Sequence, residues 1–589
     1  MNDRKRGIRA LEENSKKSNL SATLQLMKNY AEGRYVQQDD TLSEKYRKQL
    51  IDHSKDIFLY LQELQIVNFK RFTNASIKFK NRNITAFIGD NGSGKSSILE
   101  AILKSLSWLV RNIVSEKNYN GLYIDDNEIT RIKNVNILGE DLKSLLNTGE
   151  SFSTGSVMEA ITQSSTPYSL TASISATVSL NKNNSFTIAL NKSDKLHSGK
   201  ITGDYAQFIV LGSIYQHLNS MISDYNLPLV IYYPVERSID ISKSDVEKKM
   251  ATSDVDYRSK LAGYDGVLSG KSSFDSFIAW FKSCDDIINE SYAKNESEDI
   301  KNLKSAYAVT KKTIDFMQSE NEQMKKTLTS YLHDLKDKIH ILSTMSGEQP
   351  DSKYLTEQIR IKKNIEYVKN AIYSFVPEFS NLRVERLPIP DMLVDKDGIG
   401  LSVTQLSQGE KSLLALVGDI ARRLMMLNPS LENPLDGQGI ILIDEIDLHL
   451  HPKWQQRVVP QLVKTFKNIQ FIISTHSPII TSTIHHSGII KINNGSLYPA
   501  TKGSLGAESS RLLKQLYGVE NRSPTSENAI MLERYRTLVY SDKWSSTEAI
   551  KLKVYLDNEF GDSEPELAML EEYIENRSWE LDFEKNNKI

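Results

Sequence analysis

The stretch ITAFIGDNGSGKSSILEAIL, residues 84–103, decides how the rest of the chain is read. A strand-length apolar run, ITAFI, leads into Gly89-Asp90-Asn91-Gly92-Ser93-Gly94-Lys95-Ser96, which fits G-x-x-x-x-G-K-[ST]. Beyond it Ile98, Leu99, Ile102, Leu103 and Leu106 recur at helical spacing. Strand, glycine loop and helix in that order form a phosphate cradle. The glycines let backbone N–H groups curl around an anion, and the helix N-terminus adds positive potential. Lys95 then reaches the β- and γ-phosphates of a nucleotide, and Ser96, followed by Ser97, holds Mg2+.

A phosphate loop of this kind needs a second strand that carries a carboxylate to the metal. IILIDE, residues 440–445, supplies one: aliphatics suited to a doubly covered strand, then Asp444 for the metal's water shell and Glu445 to orient and deprotonate the attacking water. A third apolar strand ends in Thr475-His476-Ser477-Pro478. A histidine at that edge, where open α/β sheets bind ligands, hydrogen-bonds a γ-phosphate and a water. His449 and His451 in DLHLHP suggest a metal pair, but no further cluster completes it. Asp447 reads instead as a polar contact across an interface. In LSQGEKSLLAL, residues 406–416, Ser407 stands three places before Glu410, as in a capping box.

The order of these motifs, with LSQGE 37 residues ahead of Asp444, resembles that of ABC-type ATPases. NFKRF before the loop, DEIDLHLHPKWQ and STHSP resemble the SMC, RecF and OLD branch of that class over residues 58–500. The resemblance implies an α/β fold: an ATPase head made of a mixed-sheet lobe and a parallel-sheet lobe, with an inserted helical hairpin and helical N- and C-terminal extensions. It implies at least a dimer in which two subunits sandwich ATP, with Lys95 and Asp444 on one face and Ser407, Gly409 and Glu410 from the other. Lys70 or Arg71 would touch adenine or phosphates. The Q-loop glutamine has no clear counterpart. Gln163 and Gln207 fall in the permitted interval, and Asp125 or Asp126 are alternatives. Arg237, in YYPVER, either faces phosphate or forms an ion pair.

The helical insert, the YYPVER strand and a C-terminus beginning SLGAESSRLLKQLYGVENRSP are similar to the PtuA ATPases of Septu anti-phage systems, also found beside retron reverse transcriptases. That resemblance implies an ATPase that controls a separate HNH nuclease, PtuB-like, together with a reverse transcriptase and its RNA–DNA. The alternative is a RecF- or SMC-like repair ATPase that binds DNA directly.

Composition narrows the remaining classes. Lys plus Arg total 73 and Asp plus Glu 75, so no global charge advertises nucleic acid or an anionic membrane. One cysteine, Cys284, excludes an intrachain disulfide. The charged start, MNDRKRGIRALEEN, lacks a secretory apolar core, and the longest apolar runs are about half a membrane span, so a cytoplasmic protein without membrane contact is expected.

The organisation that follows has a helical extension over 1–57, in which YAEGRYVQQD resembles the loop of a Sel-like repeat, and a first lobe over 58–239 containing the phosphate loop. Residues 170–190 alternate as an antiparallel hairpin about an Asn-Asn turn. A helical insert covers 240–380, with a hairpin expected between the run Met317 to Leu342 and the run Leu355 to Phe375. A second lobe spans 381–500, with DKDG as a turn. A helical partner-binding region covers 501–589. Lysines 325, 326, 336, 338, 362, 363 and 369 with Arg360 offer a basic face, but interleaved acids make it a solvated one.

Overall fold

The computed structural model describes residues 2–55, 57–115, 120–130, 171–193, 199–235, 259–268, 274–294, 298–316, 322–345, 352–386, 390–561 and 564–586. Gln163 and Arg237 lie outside them. Two compact units result, Met1–Gly506 and Ala507–Ile589.

The first unit begins with three helices, α1 (Asn2–Lys16), α2 (Leu20–Glu32) and α3 (Asp40–His53). Gly33, at φ 67°, stops α2, and Asp39 caps α3 by accepting from the Thr41 and Leu42 amides. The spacing of Tyr30, Gly33 and Asp39 is therefore that of one helix stop and the next start, with Tyr30 stacked on Tyr46.

Next come β1 (Tyr60–Phe69), β2 (Phe72–Lys78), β3 (Ile84–Ile88), α4 (Lys95–Val114), β4 (Thr171–Asn181), β5 (Asn184–Ser193), β6 (Ile201–Asp204), α5 (Ala206–Met221) and β7 (Leu229–Tyr233). Four long helices follow, α6 (Phe274–Lys294), α7 (Glu298–Phe316), α8 (Glu322–Met345) and α9 (Ser352–Phe375). Then come β8 (Phe379–Glu385), β9 (Asp391–Lys396), β10 (Ile399–Ser402), α10 (Gln408–Leu427), β11 (Gly439–Ile443), α11 (Pro452–Thr465), β12 (Ile469–Ser474), β13 (Ile489–Asn493) and β14 (Ser496–Pro499).

The strands form three sheets. An antiparallel sheet runs β2-β1-β4-β5-β6, a small one β10-β9-β8, and a six-stranded sheet β14-β13-β3-β12-β11-β7. In the last, β13, β3, β12, β11 and β7 are parallel, and β3, β7, β11 and β12 are buried at every position. Those four are dominated by apolar residues because both their faces are covered, with Thr85, Gln470 and Ser474 as buried polar exceptions. The stretches 58–239 and 381–500 both contribute strands to this sheet, so the parallel layer is assembled from segments far apart in sequence. Helix α4 packs against β4 and β5 on one side and β7, β11 and β12 on the other, which accounts for its burial nearly all round. Gln470, fully buried on β12, accepts from the Leu61 amide at 2.7 Å and donates to the Leu61 carbonyl at 3.1 Å, fastening β12 to β1 of the antiparallel sheet.

Two local expectations shift. The β4–β5 turn falls on Lys182 and Asn183, one place before the Asn-Asn pair. Asn184 is free to dock elsewhere: its amide oxygen accepts from Leu20 N at 2.8 Å and its nitrogen donates to Ser18 O at 2.9 Å, holding the start of α2. In the helical region α8 pairs with α7, while α9 packs on α6 and α10. The reason is in the apolar stripes. Met324 and Tyr331 of α8 remain about half exposed, whereas Ile361, Ile365, Val368, Ile372 and Phe375 of α9 are buried.

The second unit contains α12 (Glu527–Tyr540), α13 (Thr547–Phe560) and α14 (Pro565–Asn586), around a core of Leu532, Tyr535, Val539, Ala549, Leu556, Leu567 and Leu570. Among the described residues no helix is long and apolar enough to cross a membrane.

Candidate active site

The phosphate loop joins β3 to α4 through three glycines in the left-handed region, Gly89 (φ 149°), Gly92 (φ 71°) and Gly94 (φ 115°). A Cβ on Gly94 would lie 2.7 Å from the Phe72 ring, and one on Gly89 2.3 Å from the Ile492 carbonyl, so neither position admits a side chain. Helix α4 starts at Gly94 without a side-chain cap, and the buried Ser93 hydroxyl has no protein partner. Uncapped N–H groups and an orphaned hydroxyl in one loop fit a bound phosphate. Lys95 Nζ donates to the Gly89 and Asp90 carbonyls, each at 2.9 Å, which keeps its charge over the loop.

The carboxylates arrive on the neighbouring strands. Asp444, 1% exposed, follows β11, and its amide donates to the Tyr233 carbonyl at 2.8 Å. Ser474 ends β12 beside it. The Ser474 hydroxyl donates to Asp444 Oδ1 and accepts from the Glu445 amide at 2.7 Å, so one side chain ties both acids to β12. Glu445 itself turns through φ 45°. The sequence signal for Ser474 was a hydroxyl ending the apolar strand that precedes Thr475-His476, and its register with Asp444 came from the structure.

The charges converge. Burial pushes the Lys95 ammonium below its usual value, against Glu445, Asp444, Asp90 and Asp447, which pull it back up. Burial and then the Lys95 charge lower His476, opposed by Asp447, Glu445 and Asp444. Lys95, Asp444, Glu445, Asp447 and His476 thus share one electrostatic neighbourhood. Asp447 also makes contacts within its own chain. Its Oδ1 accepts from Thr475 Oγ1 at 2.6 Å and from the His476 amide at 3.3 Å, fixing the loop that presents the histidine. His451 caps α11 by accepting from Lys453 N at 3.2 Å.

At the other motif Ser407 is the N-cap of α10. Glu410 Oε2 accepts from Ser407 N at 2.9 Å and from its hydroxyl at 2.7 Å, and Glu410 Oε1 accepts from Lys396 Nζ at 2.6 Å. Lys396 ends β9 just before the Asp397-Gly398 turn, so that hairpin orients the helix start. Burial opposes ionisation of Glu410, but Lys396 and Ser407 outweigh it and hold the carboxyl below its ordinary range. A Cβ on Gly409 would meet the His449 carbonyl at 2.6 Å, because α10 starts against the loop that follows Glu445.

A model of the AAA ATPase domain family matches residues 59–481. The chain belongs to that family. As an AAA-family ATPase it has relatives over its full length. It is 33% identical to the "Retron Ec83 probable ATPase" of Escherichia coli across 98% of both chains. It is also 33% identical to the "Retron Vc95 probable ATPase" of Vibrio cholerae serotype O1 biovar El Tor, over 89% of this chain and 92% of that one. A shorter match, 36% identical over 17% of this chain and 16% of the other, is to the Septu protein PtuA of Bacillus mycoides (strain KBAB4).

Other residues singled out in the sequence lie in different settings. Lys70, at φ 51°, pairs with Glu100 of α4 and lies 3.6 Å from Glu128, which is 3.0 Å from Lys104. It is a strut between β1 and α4, not a free cation at the loop. Arg71 is at the loop: its guanidinium lies 3.3 Å from where a Gly92 Cβ would be. Gln207 accepts from the Thr187 amide at 2.8 Å, which commits it to the edge of β5. Asp125 lies 3.6 Å from Lys104, and Asp126 3.2 Å from Lys192.

Proposed function

We propose that two copies of this AAA-family ATPase close on ATP and Mg2+ and that the resulting assembly controls a separate nuclease in an anti-phage defence complex. In each site the N–H groups of residues 89–97 and the Lys95 ammonium hold phosphate oxygens, with Arg71 beside them. Ser96 and Asp444 hold the metal, which supplies positive charge against the phosphates when bound. Glu445 takes the proton of the attacking water, and His476 hydrogen-bonds the γ-phosphate. Ser407, Gly409 and Glu410 form the helix start that faces the nucleotide of the partner copy. The observation that carries this reading is the convergence of Lys95, Asp444, Glu445 and His476 from three adjacent parallel strands.

Full-length similarity to two retron ATPases supports the defence role. The partners we assign are an HNH nuclease of the PtuB kind and a reverse transcriptase with its RNA–DNA, met in the cytoplasm. Residues 501–589 are the proposed partner-binding region. Its helices leave Ile550, Val554, Met569, Trp579 and Phe583 more than half exposed, apolar side chains available to a partner.

Glu445→Gln tests the nucleotide site. With ATP and Mg2+ the variant should accumulate as a stable assembly of at least two chains in size-exclusion chromatography with light scattering. Hydrolysis and assembly both unchanged from the parent would overturn the assignment. Co-purification of an HNH protein that is lost on deleting residues 507–589 tests the partner surface.

A further inference from the structure

Helices α6 and α9, the C-terminal end of α10, the short 3-10 turn Lys260–Tyr264 and the segment after α5 line a half-open cavity of about 270 Å³. Its lining divides by chemistry. Trp280, Ile361, Met425 and Met426 are buried and present apolar surface. Lys260, Arg360 and Asp224 bring charges to the same space, two cations against one carboxylate.

The cations differ in a useful way. Lys260 is half-buried, with its Nζ donating to Asn219 Oδ1 at 2.6 Å and to the Tyr225 carbonyl. Burial pushes this ammonium down to about 8, opposed by Asp224, so an added anion would favour its charged form. Arg360 is exposed, and its planar fork of donors matches phosphate or carboxylate. The volume lies just below the roughly 300 Å³ at which drug-sized pockets begin, so the occupant is small. We propose that the cavity is a regulatory site for a small organic anion, a phosphate or carboxylate carried on a flat apolar body.

The route to the nucleotide is α10. Met425 and Met426 sit at one end of this buried helix and Ser407 caps the other, about 30 Å away at 1.5 Å per residue. Midway, Asp419 binds Arg422, Arg423 and Tyr233, so the helix is fastened to β7. The regulatory half of the proposal rests on the role given above to Ser407. The binding half does not.

Calorimetry on the full chain carrying Lys95→Ala, which disables the phosphate loop, tests binding with phenyl phosphate, AMP, benzoate and inorganic phosphate as probes. One phenyl phosphate per chain is expected, with inorganic phosphate about tenfold weaker or more for lack of a ring to bury. AMP binding more tightly than phenyl phosphate would identify a nucleotide as the source of the anion, and benzoate binding more tightly would identify a carboxylate. Arg360→Ala should weaken binding about tenfold or more, and Asn364→Trp, which fills the cavity, should abolish it. No binding of any probe at millimolar concentration, or binding untouched by both substitutions, overturns the site.

In the unmodified protein, phenyl phosphate should change the rate of ATP turnover, and Arg360→Ala should remove that response while keeping basal turnover. Binding without any change in turnover refutes the regulatory role. Hydrolysis and assembly both unchanged in Glu445→Gln would refute the nucleotide-site reading and leave the calorimetric result standing.

Discussion

Tyr233 donates its hydroxyl to Asp419 Oδ2 at 2.9 Å, where both residues are fully buried. Tyr233 ends β7 and its carbonyl receives the Asp444 amide, while Asp419 lies on α10, the helix that begins at Ser407. Arg422 and Arg423 each donate to Asp419 at 2.8 Å, and Arg423 also reaches the Gly263 and Asp265 carbonyls. A buried ion cluster thus joins the helix of one motif to the strand beside the other.

Breaking this cluster should have graded effects. Tyr233→Phe removes one hydrogen bond and leaves the ions paired, at a cost of about 1 kcal/mol. Asp419→Asn strands two buried guanidiniums and should cost about 3–5 kcal/mol. Burial opposes ionisation of Asp419, yet Arg423 and Arg422 hold its carboxyl well below the usual carboxylate range. A depressed carboxyl stabilises fully above its unfolded value, near pH ~4, and the contribution is lost as pH falls further. Thermal unfolding of the parent and Asp419→Asn from pH 7 down through the folded value of about 2 should therefore show the two converging in acid. A constant gap would show that Asp419 does not supply the acid-sensitive part.

Ser474→Ala should slow hydrolysis with little loss of nucleotide affinity. The hydroxyl holds the Asp444 carboxylate and the Glu445 amide, neither of which carries the main phosphate contacts. Loss of a hydrogen bond to a charged group is worth about 1.5–3 kcal/mol, a fall of roughly 10- to 100-fold in kcat. A change in nucleotide Kd equal to that in kcat would assign Ser474 to binding instead.

Lys70 and Arg71, adjacent in sequence, should separate on substitution. Arg71→Ala removes the guanidinium over Gly92 and should weaken ATP binding severalfold. Lys70→Ala cuts the strut to Glu100 and Glu128, so it should lower the melting temperature while ATP affinity stays unchanged. Equilibrium binding of a fluorescent ATP analogue, paired with melting curves, distinguishes them, and the reverse pattern would return Lys70 to the nucleotide.

His476 should be neutral in the working enzyme. Burial and the Lys95 charge lower its pKa from about 6.5, so the unfolded chain takes up the proton first as pH falls. Its neutral form is fully compatible with folding above pH ~6.5, and acid withdraws stability below it. In histidine-labelled NMR spectra His476 should titrate below 6.5 and shift upward in Lys95→Met. A pKa above 6.5 in the parent would contradict the site geometry.

Much of the fold was legible because its signals are local. The Lys95 loop, the aliphatic runs of β3, β11 and β12, the capping box at Ser407 and the Asp397-Gly398 turn each depend on residues close in sequence. Partner choice between helices was not legible. The stripes of α8 and α9 look alike in sequence, yet that of α9 is buried from Ile361 to Phe375 while α8 buries Leu335 and leaves Met324 and Tyr331 exposed, because α6 and α10 offer α9 a face.

By itself the sequence determined that the chain builds a phosphate loop, two acids after a buried strand, and a histidine after a third. Glycine freedom, helix capping and aliphatic runs act over a few residues and need no distant partner. Only the tertiary structure decided that Ser474 ties Asp444 to Glu445, that Asp447 serves its own histidine loop, that Lys70 is a strut and Arg71 is not, and that Asp419 joins two motifs. Those are contacts between residues 28 to 186 places apart or on opposite faces of one strand end. Parallel strand order and burial set them, and a short-range reading of hydropathy does not contain either.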